Sequence, residues 1–304
     1  MPDPLLVTIV ITTYHRPDRI CRAVDSVLAQ TCEKEIFVVD DNGKDTDYHT
    51  QTAQQLEKYG DTITYLVNDV NMGVSRARNR ALALAQGKYI TFLDDDDEIA
   101  PDKLEKQVQR MEELGEEYSC CYCAYIKYLS GGKIHHSHET LEGDAFLPTI
   151  ARVFFPGSGS NLLVRTDDMK KTGGYDPELT RFEDYLVMVK LLKDKKLAYV
   201  PEELLTIHYE IREKNPTYES LIVDDEKWFA RIQEYMPLLS VKEQQRLLQI
   251  AALERWRYAL PRHETKDAVR NMKENKVSAA LFLRYICYLA DRLIRKRSYG
   301  FKPF

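Results

Sequence analysis

Apolar runs of strand length alternate with segments of helical spacing through the first 93 residues. The apolar runs cover residues 5–12, 35–39, 62–67 and 89–93, and helical spacing separates them at residues 18–29, 50–59 and 74–85. Runs that are apolar almost throughout are typical of strands buried on both faces of a parallel sheet. Alternation at about 25–30 residues per unit predicts an α/β fold, with a doubly wound, Rossmann-like, mostly parallel sheet and flanking helices.

Acidic residues follow two of these strands. An aspartate pair, residues 40–41, comes after the second strand, four consecutive aspartates, residues 94–97, come after the fourth, and Thr12 ends the first. The carboxyl ends of parallel strands share one edge of the sheet, where ligands of such folds bind. We therefore expect these polar groups to lie close together.

The four adjacent carboxylates have no basic residue among them, so their mutual repulsion favours a cation at this turn. Mg²⁺ or Mn²⁺, held by one or two carboxylates and otherwise by phosphate oxygens and water, prefers such ligands. The alternative is a solvated acidic turn in which Asp97 or Glu98 stabilises a helix beginning near Pro101. The chain has no glycine-rich dinucleotide motif and no P-loop motif, so neither type of nucleotide site is expected.

Composition limits the classes of partner. The 304 residues carry a net charge of −5, but the segment from Arg262 onward has 11 basic and 4 acidic residues, so the rest of the chain is strongly acidic. We expect no nucleic acid at this acidic surface. No apolar run reaches the ~20 residues needed to cross a bilayer, and we find no signal peptide, which favours a cytoplasmic location. The cysteines at 120–123 and the histidines at 135–138 are interpreted as strand residues rather than zinc ligands.

Several short blocks, taken in order, resemble family 2 glycosyltransferases of the GT-A fold, of the type that builds bacterial cell-surface polysaccharides. The start Val-Thr-Ile-Val-Ile-Thr-Thr-Tyr14 with Arg16-Pro17 is one, and the Asp94-x-Asp96-Asp97 turn is another. The remaining blocks are residues 23–31, 38–42, 71–73, 77–79, 85–90, 173–176 and 182–185. The resemblance covers about residues 5–210. It implies a GT-A catalytic domain over residues 1–215, followed by a C-terminal helical module over residues 216–304.

The resemblance also implies roles for individual residues. Asp41 would accept a hydrogen bond from a uracil base, with Thr12 and Tyr14 lining the base pocket, and Arg78 would lie near the donor phosphates. The donor and metal residues would be Asp94, Asp95 and Asp96, with Asp96 the direct ligand and His208 a further metal ligand. Asp184 would be the general base that deprotonates the acceptor hydroxyl, with Ser160, Asn161 and Glu183 on the acceptor side.

Each of these residues also has an ordinary structural interpretation. Asp41 suits a turn in which its side chain caps the backbone, and Arg78 suits a solvated helix face. Asp184 suits a helix N-cap, because an amphipathic run through Leu186 follows it. The block after residue 184 departs from the family pattern, since Tyr185 and Leu186 replace the usual Asp and Trp.

The resemblance leads us to expect an inverting, metal-dependent transferase that moves a sugar from a nucleoside-diphosphate donor, with a UDP-sugar favoured, to a glycan or lipid-linked glycan. Two alternatives are a sugar-nucleotide or glycan-binding module without turnover, and a receiver-like signalling domain. A receiver needs its acidic pair near the start of the domain, yet a strand and a helix precede residues 40–41 here.

Amphipathic segments at residues 219–260 and 264–295, broken near Pro237 and Pro261, predict helices in the C-terminal part. The last of them has a broad apolar face, including Leu283, Leu293 and Ile294, and a basic end. It could pack on the catalytic domain, form part of a homo-oligomer, or lie on an anionic membrane surface.

Overall fold

A computed structural model describes residues 7–129, 131–208 and 217–304. Its first part contains the predicted alternation of strands and helices. The elements are, in chain order, β1 (Val7–Thr13), α1 (Ile20–Leu28), β2 (Lys34–Asp40), α2 (Asp47–Leu56), β3 (Thr64–Val67), α3 (Val74–Leu84) and β4 (Tyr89–Asp94). Helix α2 begins three residues before its predicted start, because the Thr46 side chain accepts a hydrogen bond from His49 N and caps the helix there. Residues 5 and 6 of the predicted first strand lie outside the described residues.

Strands β1 to β4 form a parallel sheet in the order β3-β2-β1-β4. Thr12 of β1 lies opposite Val39 of β2 and opposite Asp94 of β4. The three strands therefore end at one level of the sheet, and the polar residues that follow them share one edge, as the sequence predicts.

The second part of the catalytic region adds antiparallel strands to the parallel sheet. Its elements are β5 (Glu98–Ile99), α4 (Lys103–Leu114), β6 (Tyr118–Leu129), β7 (Lys133–Ser137), α5 (Phe146–Ile150), β8 (Leu163–Arg165), α6 (Thr166–Lys171), α7 (Glu183–Leu192) and β9 (Lys196–His208). The short strand β8 is antiparallel to both β4 and β6, so β6 runs in the same direction as β4. The ends of β4 and β6 consequently lie at the same edge.

Strands β6 and β7 form a hairpin. Gly131 and Gly132, at its turn, have φ values of +78° and +74°, which glycine adopts without strain. Ser130, which precedes them, lies outside the described residues. The cysteines at 120, 121 and 123 are buried in β6 and free, in agreement with the strand interpretation.

The C-terminal part contains the elements α8 (Tyr218–Ile232), α9 (Val241–Ala259), α10 (Thr265–Glu274), α11 (Ala279–Arg295) and β10 (Arg297–Ser298). The helices break at 3-10 turns that contain Pro237 and Pro261, as predicted. β10 pairs with β7, and so joins the catalytic sheet. The boundary predicted at residue 215 lies outside the described residues.

Only part of the apolar face predicted for α11 is exposed. Phe282 and Leu289 pack against the core that the C-terminal helices share with α5 and α7, whereas Leu283, Leu293 and Ile294 are exposed. The Tyr288 ring packs in the same core, and its hydroxyl donates to Tyr299 O at 3.0 Å. Within the three described ranges, no helix is long and apolar enough to cross a membrane.

Candidate functional site

A network of hydrogen bonds joins the carboxyl ends of β1, β2 and β4. Thr13 Oγ1 donates to Asp95 Oδ2 at 2.7 Å, and Asp41 N donates to Thr13 O at 3.0 Å. The backbone N–H of His15 donates to Asn42 Oδ1 at 2.7 Å. The three clusters that the sequence assigned to one edge therefore form one site.

The acidic turn is partly buried, and its carboxylates differ in environment. Asp95 and Asp97 are 3% and 2% exposed, whereas Asp94 and Asp96 are more open. Burial raises the pKa of Asp95 to about 6, and burial together with the charge of Asp94 raises the pKa of Asp97 to about 7. Burial also raises the pKa of Asp96. The more open carboxylates of Asp94 and Asp96 are thus the better placed to take a ligand.

Arginines from other segments neutralise this turn, which the local sequence did not indicate. Arg16 Nη1 lies 3.0 Å from Asp95 Oδ1 and 2.6 Å from Asp96 Oδ2. Arg22 Nη2 donates to the backbone oxygen of Asp96 at 2.8 Å. The repulsion inferred from the sequence is therefore relieved by side chains as well, and by itself does not require a metal ion.

Asp41 fixes the turn that precedes α3. Its Oδ1 accepts hydrogen bonds from Asn68 Nδ2 at 2.7 Å and from Met72 N at 2.8 Å, and its Oδ2 accepts one from Gly73 N at 2.8 Å. The turn needs glycine, because residue 73 has a φ of +84°. Asp41 therefore shapes the turn, and its Oδ2 has further capacity to accept a hydrogen bond.

Three stacked rings lie just beyond the carboxyl end of β1. Tyr14 is 44% exposed and stacks on His15 with ring centres 3.8 Å apart, and His15 stacks on Tyr48 of α2 at 4.0 Å. His15 holds this place with a φ of +59°, which is uncommon for a residue other than glycine. The family resemblance indicated Tyr14 and Thr12 for this region, whereas no local pattern distinguishes His15 and Tyr48. Thr12 is partly exposed at the end of β1.

Arg78 connects the acidic turn to Asp184. Its guanidinium donates to Asp94 Oδ1 at 2.9 Å and to Asp184 Oδ1 at 3.1 Å, and it is buried. The Tyr175 ring lies 4.9 Å below it. Arg78 is therefore a buried link between two carboxylates, and its interpretation as a solvated helix residue is wrong.

Asp184 lies in the first turn of α7, one residue after the helix begins. The N-cap is Phe182, which has a left-handed backbone and makes no side-chain cap bond, so the interpretation of Asp184 as the cap is wrong. Burial raises the pKa of Asp184, while the charge of Arg78 opposes that shift. Burial and the neighbouring Asp184 raise the pKa of Glu183 to about 7. Two carboxyl groups with raised pKa values thus stand together at the start of α7.

The segment between α5 and β8 supports this pair from below. A Cβ atom on Gly159 would lie 2.7 Å from Asp184 Oδ1, so glycine makes room for the carboxylate. Ser160 and Asn161 are 1% and 0% exposed. Asn161 Nδ2 donates to Cys123 O at 2.8 Å and to Pro156 O at 2.7 Å. Ser160 and Asn161, expected on the acceptor side, are therefore buried under the site and do not reach its surface.

His208 pairs with a carboxylate outside the aspartate run. Its Nε2 lies 2.6 Å from Glu98 Oε1, and its ring stacks on Tyr128. Across the described ranges, no three His, Cys, Asp or Glu side chains are already gathered to hold a metal. Asp94 and Asp96 nevertheless offer the oxygen donors that suit Mg²⁺ or Mn²⁺, provided that phosphate and water supply the other ligands. The residues present fit a cation that arrives with a phosphorylated ligand.

The C-terminal helices pack behind the residues that precede Asp184. Arg152 Nη2 lies 2.7 Å from Asp225 of α8, and its guanidinium stands 4.1 Å from the Phe182 ring centre. Arg181 Nη2 donates to Tyr258 Oη of α9 at 2.9 Å. Contacts with α8 and α9 thereby hold the residues that directly precede α7.

Comparisons with known proteins identify the family. A family model described as "Glycosyl transferase family 2" matches residues 8–172. The chain is 33% identical over 207 residues to "Putative teichuronic acid biosynthesis glycosyltransferase TuaG" of Bacillus subtilis, covering 66% of this chain and 77% of that protein. It is 28% identical over 215 residues to "Putative colanic acid biosynthesis glycosyl transferase WcaA" of Escherichia coli, covering 68% and 73%.

Solved structures share the fold. TarS of S. aureus, residues 1–349, superposes with a TM-score of 0.62 and 19% identity, covering 83% of this chain and 72% of that one. TarS in complex with UDP-GlcNAc gives a TM-score of 0.59 and 18% identity, covering 89% and 91%. The fold is therefore the mixed α/β GT-A type, with a helical C-terminal region.

Proposed function

The chain belongs to glycosyltransferase family 2, and we propose that it transfers a sugar from a UDP-linked donor to a hydroxyl group of a glycan or lipid-linked glycan, with inversion at the anomeric carbon. The observation that carries the proposal is the link made by Arg78. One buried guanidinium holds Asp94 of the acidic turn at 2.9 Å and Asp184 at 3.1 Å. A carboxylate able to act as a base thus stands directly beside the carboxylates at which a diphosphate would be held.

Asp184 supplies the base in this reaction. Its carboxylate takes the proton of the acceptor hydroxyl while that oxygen forms a bond to the anomeric carbon, and the bond from that carbon to the diphosphate oxygen breaks to release UDP. Burial raises the pKa of Asp184, which makes it a stronger proton acceptor than an ordinary aspartate. A single base and one displacement lead to inversion. Glu183 stands on the acceptor side of the same turn and is the second candidate for the base.

The donor is proposed to extend from β2 to β4. Asp41 would accept from the uracil N3–H, Thr12 and Tyr14 would line the base pocket, and Asp95, bonded to Thr13, would hold the turn in place. Asp94 and Asp96 would hold Mg²⁺ or Mn²⁺. When bound, that ion supplies Lewis-acid stabilisation of the negative charge on the leaving diphosphate. TarS was solved with UDP-GlcNAc, which supports a nucleotide-sugar donor for this related fold.

UDP release from a panel of UDP-sugars with Mg²⁺ or Mn²⁺, with and without glycan acceptors, tests the proposal. We expect Asp184→Asn to lower the rate by about 10²–10⁴-fold while calorimetric UDP affinity is retained. Asp194→Asn, beyond the other end of α7, is the matched control and should keep full activity. If Asp184→Asn turns over normally, the base is another residue. If the wild type binds a UDP-sugar but never transfers it, the chain is a binding module.

For the acceptor, we propose that α11 brings the protein to an anionic membrane surface. Its exposed Leu283, Leu293 and Ile294 lie near the basic Arg295 and Lys296, and each basic residue near such a surface contributes about 1 kcal/mol. This combination favours a lipid-linked glycan.

Co-sedimentation with vesicles of anionic phospholipid at low salt tests the membrane contact. Leu293→Asp should release the protein from the vesicles, whereas Leu238→Asp, at a similarly exposed leucine between α8 and α9, should not. Absence of vesicle binding by the wild type, together with a concentration-dependent dimer in sedimentation, would assign this face to a homo-oligomer.

A further inference from the structure

Two residues near the start of α7 have left-handed backbones of the kind that favours glycine. Phe182, directly before α7, has a φ of +69°, and Arg152, two residues after the end of α5, has a φ of +54°. These two residues contact each other, with the Arg152 guanidinium 4.1 Å from the centre of the Phe182 ring. Such conformations persist only where the surrounding structure holds them, and they are common at functional sites. The contacts around Arg152 and Phe182 therefore bear on the candidate base, Asp184.

Asp225 of α8 fixes the position of the Arg152 side chain. Arg152 Nη2 lies 2.7 Å from Asp225 Oδ1, and both side chains are largely buried. The other oxygen of Asp225 accepts a hydrogen bond from Arg255 Nε of α9 at 2.7 Å. Removing such charges from water is offset only where their geometry is good and further hydrogen bonds are made, as Arg255 does here. Helices α8 and α9 thus determine where the Arg152 guanidinium lies.

Further groups from the C-terminal helices surround the Phe182 ring. The Arg181 guanidinium lies 4.9 Å from the centre of that ring, and its Nη2 donates to Tyr258 Oη of α9 at 2.9 Å. The Trp228 ring of α8, which is fully buried, packs edge-on to the Phe182 ring with centres 5.9 Å apart. A cation is attracted to the face of an aromatic ring, most strongly where water is excluded. The conformation of Phe182 therefore depends on α8 and α9.

The backbone of Phe182 determines where Asp184 lies. The oxygen of Phe182 accepts a hydrogen bond from Leu186 N at 2.9 Å, which closes the first turn of α7, and Asp184 lies within that turn. A rotation about φ or ψ of Phe182 would turn the start of the helix and move the Asp184 carboxylate from its place beside Arg78 and Gly159. Misplacing a catalytic group by about 1 Å can cost about 10²-fold in rate. The contacts of Phe182 can therefore affect catalysis without touching a substrate.

We propose that Arg152 and Asp225 are positioning residues for Asp184, so that α8 and α9 are needed for the transfer step. Asp225 holds Arg152, Arg152 holds the ring of Phe182, and Phe182 sets the first turn of α7. This inference rests on the proposed transferase function. Donor binding is proposed at the ends of β1, β2 and β4 instead, so loss of these contacts slows transfer while donor affinity is retained.

Steady-state UDP release by the full-length protein, with a UDP-sugar that gives turnover, tests the positioning role. Asp225→Asn removes the charge that pairs with Arg152 and keeps the shape of the side chain. We expect kcat to fall by about tenfold or more, with unchanged KM for the UDP-sugar and unchanged calorimetric affinity for UDP. Arg152→Gln should act in the same way. Phe182→Leu, which loses only the aromatic ring, should also lower kcat, and it decides the test if the other two variants do not fold.

Two control variants separate positioning from a general loss of structure. Glu226→Gln neutralises the exposed neighbour of Asp225 on α8 and should turn over as the wild type does. Tyr285→Phe removes the hydroxyl that donates to Glu254 between α11 and α9, and should lower stability in urea while kcat is retained. In an Asp184→Asn background, Asp225→Asn should add little to the loss of rate, because both changes act on one group.

Hydrogen exchange at the start of α7 gives a measurement that needs no turnover. Amides bonded in that turn, such as Leu186 N, exchange with solvent only when the turn opens. Asp225→Asn and Arg152→Gln should speed exchange in a peptide covering residues 182–188 by about tenfold, whereas Glu226→Gln should leave it unchanged.

The positioning role is overturned if the folded variants transfer sugar at the rate of Glu226→Gln. It is also overturned if their losses multiply with that of Asp184→Asn, or if Tyr285→Phe slows transfer as much. In each of these cases an active wild type leaves the transferase proposal standing. If the wild type binds UDP-sugars without transferring them, the transferase proposal fails, and the exchange measurement alone decides whether Asp225 and Arg152 hold the start of α7.

Discussion

Replacing Gly159 by alanine tests whether Asp184 must occupy the position that the structure gives it. The added Cβ would lie 2.7 Å from Oδ1, 2.8 Å from Oδ2 and 2.9 Å from Cγ of Asp184. Ordinary contacts of this kind begin near 3.4 Å, so the carboxylate must move by about 0.7 Å or more. A displacement of about 1 Å in a catalytic group can lower a rate by about 10²-fold. We therefore expect Gly159→Ala to slow UDP release on that order, at unchanged UDP affinity.

A double variant that combines Gly159→Ala with Asp184→Asn tests whether the alanine acts through Asp184. If the alanine acts through Asp184, it should add little to the loss already caused by Asp184→Asn, because both changes disable one group. Overpacking should cost about 1–3 kcal/mol of stability, which urea unfolding measures. A wild-type rate in Gly159→Ala, or losses that multiply in the double variant, would refute the reasoning.

Three further predictions follow from the buried charges. Arg78→Ala leaves two carboxylates without their partner and should lower the free energy of unfolding in urea by about 3–5 kcal/mol. Arg76→Ala, at an exposed position of the same helix, should lower it by less than about 1 kcal/mol. Folded Glu183 keeps its proton up to about pH 7 and the unfolded chain loses it near 4.5, so stability should fall as pH rises between these values. Glu183→Gln should reduce that fall in thermal unfolding. Asp41→Ala removes the three hydrogen bonds that its carboxylate accepts around the turn at Gly73, and should weaken UDP binding about tenfold or more in calorimetry.

The strand–helix alternation made the parallel half of the sheet predictable. Strands that are buried on both faces have unbroken apolar runs, which are visible in the sequence. Their parallel packing is enough to place Asp41 and Asp94 at one edge of the sheet. The resemblance to a family added Asp184, which lies 106 residues from its partner Arg78. No rule based on local sequence predicts that Arg78 and Asp184 are in contact.

Contacts between distant segments account for what the sequence did not indicate. Arg16 bonds to Asp96 only because the loop after β1 folds over the end of β4. The two residues are 80 positions apart in the chain. Asn161 reads as a polar loop residue, yet its amide satisfies the backbone of β6 and is buried. Polarity predicts exposure only where no buried backbone group needs a partner.

The pairing of β10 with β7 has a consequence for how the molecule folds. Tyr125 Oη donates to Ser298 Oγ at 2.6 Å, a contact that spans 173 positions of the chain. Closing so long a loop lowers the entropy of the chain, and local contacts do not offset that loss. Pairings between such distant segments therefore form late in folding. The edge at Asp41 and Asp94 can assemble from the first hundred residues, whereas β10 joins the sheet beside β7 only when the C-terminal segment docks. A nascent chain would therefore complete the edge that carries the two aspartates well before the opposite end of its sheet.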